Sequence, residues 1–127
     1  MAMKNPYSQY KQNSVMTASP QELTLMLYNG ALKFLKQAML FIDEKKIEKS
    51  HNSIVRTQDI LVEFMSTVDQ NYEVGKNLFS LYEYMNYRLG EADMEKDKEK
   101  VEEIYSMIEE LRDTWKQAME KVKKGQA

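Results

Sequence analysis

The sequence contains no cysteine, one histidine, two prolines and four glycines in 127 residues. Without cysteine, the chain can form no disulfide scaffold, no thiolate metal site and no thiol nucleophile. Four scattered glycines cannot build a glycine-rich loop that cradles phosphate. Both prolines, Pro6 and Pro20, lie within the first twenty residues, so no proline interrupts a helix in the rest of the chain.

Long apolar runs and an excess of positive charge are also missing. No stretch approaches the roughly 18 apolar residues of a membrane-spanning helix, and residues 1–12 lack the apolar region of a secretory signal. The net charge of −2 argues against a basic face for nucleic acid. We therefore expect one cytoplasmic domain over residues 1–127, with no membrane span and no nucleic-acid partner.

Apolar residues recur at spacings of three and four, which predicts an all-α protein. The pattern predicts helices at about residues 20–42, 47–69, 77–95 and 97–123, after an N-terminal arm of residues 1–17. The strongest start signal is the capping box Ser19-Pro20-Gln21-Glu22, with proline at the first helical position. Short connections between these helices favour an antiparallel up-down-up-down four-helix bundle.

Three local features of these helices carry further expectations. The first helix has two apolar rows, so it must be covered on a second side. Trp115 falls in the apolar seam of the fourth helix, where we expect a structural role. Gly75 is expected in a loop over residues 70–76, and Gly90 indicates either a close backbone approach or a tolerated weak point of the third helix.

The lone histidine raises the question of a metal centre or a phosphorelay. Glu48 and His51 match the Glu-x-x-His motif of di-iron bundles once, but the second motif that such a site needs would require another histidine. Phosphorelay domains usually carry lysine and glycine after the histidine, whereas Asn52 and Ser53 follow here. We expect no metal, no cofactor and no enzymatic activity, and a structural place for His51 on a helix seam or groove edge.

Ten methionines and eight tyrosines are more than a bundle of this size needs. Methionine adapts to partners of different shape, and tyrosine suits half-wet grooves. For any one of these residues, filling a core gap is the alternative. Together they indicate an exposed apolar groove that receives an amphipathic helix of another protein.

Several sequence runs resemble the flagellin-specific export chaperones, the FliS family. They are YKQNSVMTASPQEL at residues 10–23, LMLYNGA at 25–31, RTQDIL at 56–61, LYEYM at 81–85 with Arg88-Leu89, and ELRDTW at 110–115. Each run alone is weak evidence for the resemblance, but together the runs follow the family's order over nearly the whole chain. Asn29, which stands where an acidic residue is common, is a minor departure.

This resemblance implies a chaperone that binds the disordered C-terminal segment of flagellin in apolar surface grooves. It would prevent premature polymerisation and aid delivery to a component of the flagellar export gate. Other flagellar regulators are further candidate partners, and both a monomer and a weak or swapped dimer remain open. The alternative is a general helical-bundle adaptor or regulator that binds another amphipathic helix.

The resemblance also suggests which residues bind the partner. Two tyrosines would belong to an N-terminal arm that lies over the groove, and three residues of the first helix would face the groove. We extend this set along an aromatic arc of the third helix. The eight expected partner-binding residues are Tyr7, Tyr10, Leu25, Tyr28, Leu32, Tyr82, Met85 and Leu89.

Overall fold

The first helix begins at the capping box. The computed structural model describes residues 17–125, and in it helix α1 spans Pro20–Asp43. The Glu22 backbone N–H donates to the Ser19 hydroxyl over 3.1 Å, and the Ser19 N–H donates to the Glu22 carboxylate over 3.2 Å. This reciprocal pair satisfies two of the otherwise unpaired donors of the first turn, so the predicted start is confirmed.

Three further helices follow through short turns: α2 (Ile47–Thr67), α3 (Glu73–Glu95) and α4 (Lys98–Gly125). The turns after α1 and α3 each contain one lysine in the left-handed conformation, Lys45 (φ 59°) and Lys96 (φ 52°). After the second of these, the Asp97 N–H bonds back to the Ala92 carbonyl oxygen over 3.0 Å. Such turns reverse the chain within a few residues, which makes successive helices antiparallel neighbours.

The helices close into a four-membered ring of contacts. Helix α1 packs against α2 and α4, and α3 packs against the same two helices. Polar contacts show the directions: Asp43 at the end of α1 meets Lys98 at the start of α4, and His51 near the start of α2 meets Asp93 near the end of α3. No strand occurs within residues 17–125, and the predicted antiparallel up-down-up-down four-helix bundle is confirmed.

The densest part of the core occupies the middle of the bundle. In α1 the buried residues run from Tyr28 to Ala38, and in α4 they stop at Ile108. Thus the first two turns of α1 and the last four turns of α4 extend beyond the fully buried layers. The largest fully buried apolar side chains are Leu35, Ile54, Leu61, Met85, Leu89, Val101, Ile104 and Ile108.

Helix α3 begins earlier than the sequence predicted. Gly75 lies in its first turn and not in a loop, because the helix starts at Glu73. A Cβ atom at Gly75 would stand 1.7 Å from the carbonyl oxygen of Asp69, so only glycine lets this turn pass so close to the end of α2. At Gly90 the nearest atom to a Cβ would be the side-chain nitrogen of Gln58 at 3.8 Å. Gly90 is therefore a tolerated weak point of the helix and not a close backbone approach.

Three aromatic rings stack across the core from α1 to α3. The Phe64 ring lies 4.7 Å from the Tyr28 ring and 5.3 Å from the Tyr82 ring, measured between centroids. The two tyrosine hydroxyls share a hydrogen bond of 2.9 Å. Burial raises the pKa of Tyr28, and the contact with Tyr82 raises it further. Burial also raises the pKa of Tyr82, against a lowering effect of the same hydrogen bond.

Candidate functional site

Most of the expected partner-binding residues lie inside the bundle. Tyr28 and Leu32 are 5% exposed, Tyr82 is 4% exposed, and Met85 and Leu89 are fully buried. The prediction that these residues face a surface groove is wrong in this structure for Tyr28, Tyr82, Met85 and Leu89. Leu32, although nearly buried, lines a surface cleft between α1 and α4. Both apolar rows of α1 are used for packing, because α1 contacts α2 on one side and α4 on the other. A direct contact of any of the five with a partner stays a prediction, and for Tyr28, Tyr82, Met85 and Leu89 it would require the bundle to open.

The remaining three expected residues have different positions. Leu25 lies half-buried on α1 and lines a surface groove. Tyr7 and Tyr10 fall outside the described residues, so their role in an N-terminal arm also stays a prediction.

The groove lies between the start of α1 and the end of α4. The apolar seam of α4 continues past Ile108, but no residue of this helix beyond Ile108 is fully buried. The second half of α4 therefore carries an apolar stripe that its neighbours cover only in part. The space between them has a volume of about 700 Å³, and its apolar lining consists of Leu25, Trp115, Ala118, Met119 and Val122.

Trp115 fixes one wall of this groove. Its indole N–H donates to the backbone carbonyl of Gln21 over 3.0 Å, which ties α4 to the first turn of α1. The ring packs against the edge of the core and is only half-buried. Trp115 therefore connects α4 to α1, as its place in the apolar seam of the fourth helix predicted. It also lines the groove, which its place in the seam did not predict.

The rim of the groove carries both signs of charge. Glu22 lies on the α1 side, and Lys116, Glu120 and Lys123 lie on the α4 side. Hydrogen bonds from the hydroxyl and backbone N–H of Ser19 hold the pKa of Glu22 below its usual value. A rim of mixed sign selects little by charge, so the apolar floor must supply most of the affinity of any ligand.

The two ends of the bundle differ in the side chains that they expose. At the end opposite the groove, polar contacts connect neighbouring helices: an ion pair of Lys98 with Asp43 over 2.8 Å, and a hydrogen bond of His51 with Asp93 over 2.5 Å. Within residues 17–125, eleven large apolar side chains are exposed, and six of them lie in the half of the bundle that carries the groove: Leu23, Met26, Val62, Tyr72, Val74 and Val122. These side chains add exposed apolar surface at the end of the bundle where the groove lies.

His51 has a structural partner that the sequence did not reveal. Asp93 accepts hydrogen bonds from His51 and from Lys96, the latter over 2.8 Å. Burial opposes the ionisation of Asp93, but these two hydrogen bonds outweigh it and keep the pKa of the carboxyl below its usual value. Within residues 17–125, no three side chains of the metal-binding types converge. The geometry of the described residues thus assigns His51 to the contact between α2 and α3.

A comparison with known proteins decides the family. Residues 3–122 match the family model described as flagellar protein FliS. The chain belongs to the FliS family. The apolar lining of the groove and the sequence runs noted above fall within the span of this match.

Individual FliS relatives cover nearly the whole chain. The flagellar secretion chaperone FliS of Bacillus subtilis is 40% identical over 98% of this chain and 93% of its own length. The same-named protein of Salmonella typhimurium is 30% identical over 84% of this chain and 81% of its own length. A solved structure described as a flagellar chaperone from bacteria superposes with a TM-score of 0.75. That pair covers 91% of this chain and 99% of the other at 16% identity, which establishes a shared fold.

The chain thus belongs to a family of flagellar secretion chaperones and is an all-helical bundle. None of its described helices is both long and apolar enough to cross a membrane. Sequence analysis missed the second half of α4 as a surface feature. The length of α4 is the signal that could have revealed this surface. Helix α4 has 28 residues, whereas α1, α2 and α3 have 24, 21 and 23. The other helices are therefore too short to cover the whole apolar seam of α4.

Proposed function

We propose that this protein is a cytoplasmic export chaperone that binds the disordered C-terminal segment of flagellin. It keeps that segment from polymerising prematurely and aids its delivery to a component of the flagellar export gate. Membership of the FliS family supports the class of function. The observation that carries the binding site is the apolar groove lined by Leu25, Trp115 and Met119.

The dimensions of the groove suit an amphipathic helix. The apolar stripe from Leu111 to Val122 extends over about 16 Å, or roughly three helical turns. A flagellin segment that turns helical on contact could lay residues at i, i+3 or i+4, and i+7 along this stripe. Those side chains would cover apolar surface that the bundle leaves open, and that burial supplies the favourable free energy.

The groove need not be the whole contact. Coupled folding and binding of a disordered segment typically buries about 1,000–3,000 Å² and loses a few kcal/mol to ordering. A groove that spans only about three helical turns cannot bury so large an area, so we expect the flagellin segment to continue onto neighbouring surface. The exposed apolar side chains at the same end, such as Leu23 and Val74, provide it.

Calorimetric titration tests this proposal. The ligand is a peptide of the last roughly 50 residues of the flagellin from the same organism, long enough for coupled folding over such an area. We expect one-to-one binding with a dissociation constant below about 1 μM, together with a gain of helical circular dichroism beyond the sum of the components. A peptide of the same composition in scrambled order is the control.

Two outcomes would contradict the proposal. No heat and no gained helix, with the bundle folded, would show that this flagellin segment is not a ligand. Equal displacement of the flagellin peptide by unrelated amphipathic helices would instead favour a general helical adaptor.

A further inference from the structure

A second groove, between α1 and α2, combines aromatic rings with positive charge. The guanidinium carbon of Arg56 lies 5.6 Å from the centre of the Phe34 ring, and the Lys49 ammonium nitrogen lies 5.8 Å from the centre of the Phe41 ring. The cavity between these pairs has a volume of about 180 Å³ and includes the buried Ser53 in its lining. No carboxylate is among its lining residues.

The positive charge extends across the exposed side of α1. Lys33 and Lys36 line the neighbouring cleft toward α4, where the Lys36 ammonium lies 5.8 Å from the centre of the Tyr105 ring. Within residues 17–125, none of Lys33, Lys36, Lys49 and Arg56 comes within 4.0 Å of a carboxylate oxygen in an ion pair. Glu109 also lines that cleft and offsets part of its positive charge. No carboxylate of the described residues lines the groove beside Lys49 and Arg56, so the local positive charge is strongest there and favours an acidic ligand.

The cationic stretch has a defined length. It begins on α2 at Lys49 and ends at Arg56, because Asp59 and Glu63 follow on the next turns. The stretch therefore covers about two helical turns. On α1, the lining residues Phe34, Gln37 and Phe41 stand at i, i+3 and i+7, which is the spacing that a helix laid in the groove would meet.

We propose that this groove binds an acidic amphipathic helix of a partner protein. A guanidinium that lies over an aromatic ring, as that of Arg56 does over Phe34, can still offer its N–H groups to a carboxylate in a two-point contact. The rings of Phe34 and Phe41 would receive the apolar side chains of the same helix. A lipid surface fits less well, because the apolar groups lie in a concave groove between helices and do not protrude toward a bilayer.

The two grooves use different faces of α1. The flagellin groove proposed above lies toward α4 at the start of α1, whereas the cationic groove lies toward α2 in the middle and second half of the helix. One chaperone could therefore hold both ligands at once. This inference does not depend on flagellin binding, and the failure of one proposal leaves the other standing.

A synthetic helical peptide is the probe for the experiment. It carries leucine at i, i+3 and i+7 and glutamate at the flanking positions, and its control has glutamine in place of every glutamate. Fluorescence anisotropy should show saturable one-to-one binding of the acidic peptide and at least about tenfold weaker binding of the glutamine control. Raising the salt concentration from about 50 to about 300 mM should weaken binding by about tenfold, because the Debye length shortens to about 6 Å.

Matched variants locate the site. Arg56→Glu should weaken binding of the acidic peptide at least about tenfold through charge reversal. Arg56→Gln serves the same purpose should the reversal disturb folding. Lys76→Glu, an equal charge reversal at an exposed position on α3, should leave binding unchanged. All variants should keep the helical circular dichroism of the parent.

Several results would overturn the inference. Equal binding of the acidic and glutamine peptides would show that charge does not contribute to binding. Unchanged binding of the acidic peptide by Arg56→Glu would show that this groove is not the binding site. Displacement of the acidic peptide by saturating flagellin peptide would show that the two share one site. Binding to anionic vesicles without binding to the peptide would assign the cationic face to lipid.

Discussion

The hydroxyl pair between Tyr28 and Tyr82 gives a sharp test of the core. The two oxygens are 2.9 Å apart, and the side chains are almost completely buried. Tyr28→Phe would remove one oxygen and leave the Tyr82 hydroxyl without its partner in the interior. Tyr82→Phe would do the converse, and the double substitution would remove both oxygens while keeping the stacked rings.

The expected magnitudes follow from the cost of a buried polar group that lacks a partner. Each single substitution should lower the free energy of unfolding by about 1–3 kcal/mol. The double substitution should lower it by about 1 kcal/mol or less, since no orphaned hydroxyl remains and both rings still pack against Phe64. The sum of the two single losses should therefore exceed the loss in the double variant, with a coupling energy of at least about 1 kcal/mol.

Urea denaturation followed by circular dichroism measures these differences. With a slope of roughly 1–3 kcal/mol per molar urea, a loss of about 1.5 kcal/mol moves the midpoint by about 0.5–1.5 M. Strictly additive single losses, or unchanged midpoints in both single variants, would refute the hydrogen bond as a core contact. Full stability of a Tyr28→Glu variant would refute the burial of Tyr28 itself.

The same pair predicts a loss of stability at high pH. Burial raises the pKa of both tyrosines in the folded state, while the unfolded chain titrates near pH 10. Their contribution is thus fully present below about pH 10 and falls above it, by up to about 1.4 kcal/mol per pH unit for each tyrosine. The double phenylalanine variant should show a shallower decline, and an identical decline would contradict this assignment.

Three further predictions concern single positions. Gly90→Ala should raise the free energy of unfolding by up to about 1 kcal/mol, because alanine favours the helix and its Cβ has room there. Gly75→Ala should lower the free energy of unfolding, because a Cβ at this position would clash with the backbone of Asp69. Thermal melts in which Gly75→Ala is more stable than Gly90→Ala would contradict both predictions. Trp115→Ala should cost about 1–3 kcal/mol in urea titrations, below the range for fully buried tryptophan since the ring is half-buried, and unchanged melting would exclude its anchoring role. His51→Ala should leave flagellin-peptide binding intact and lower stability slightly through the lost contact with Asp93, and iron in the purified protein would contradict this structural role.

The sequence predicted the architecture because its signals there are local. The capping box at Ser19 and the three-and-four spacing of apolar residues are determined within a few turns. The two apolar rows of α1 correctly predicted a helix covered on a second side. Gly75 was misplaced because a glycine that permits close packing has the same local signature as one in a loop.

The candidate site was harder to predict, because an apolar row has the same composition whether it faces a helix or an open groove. The resemblance assigned Tyr28 to a surface groove, and nothing in its apolar row could show that it is buried in this bundle. Only the relative lengths and positions of α1 and α4 show that the seam remains covered at Ile108 and is open at Met119. Likewise, His51 and Asp93 are 42 residues apart, and nothing local in the sequence pairs them.

The most direct test of the account is the binding of the flagellin C-terminal peptide to two matched methionine variants. Met119→Glu places a carboxylate inside the groove between α1 and α4, whereas Met94→Glu places one at an 88% exposed position outside it. Titration calorimetry should show at least about tenfold weaker binding for Met119→Glu and a change of less than about twofold for Met94→Glu. Equal affinities of the two variants, with both bundles folded, would contradict the placement of flagellin in this groove.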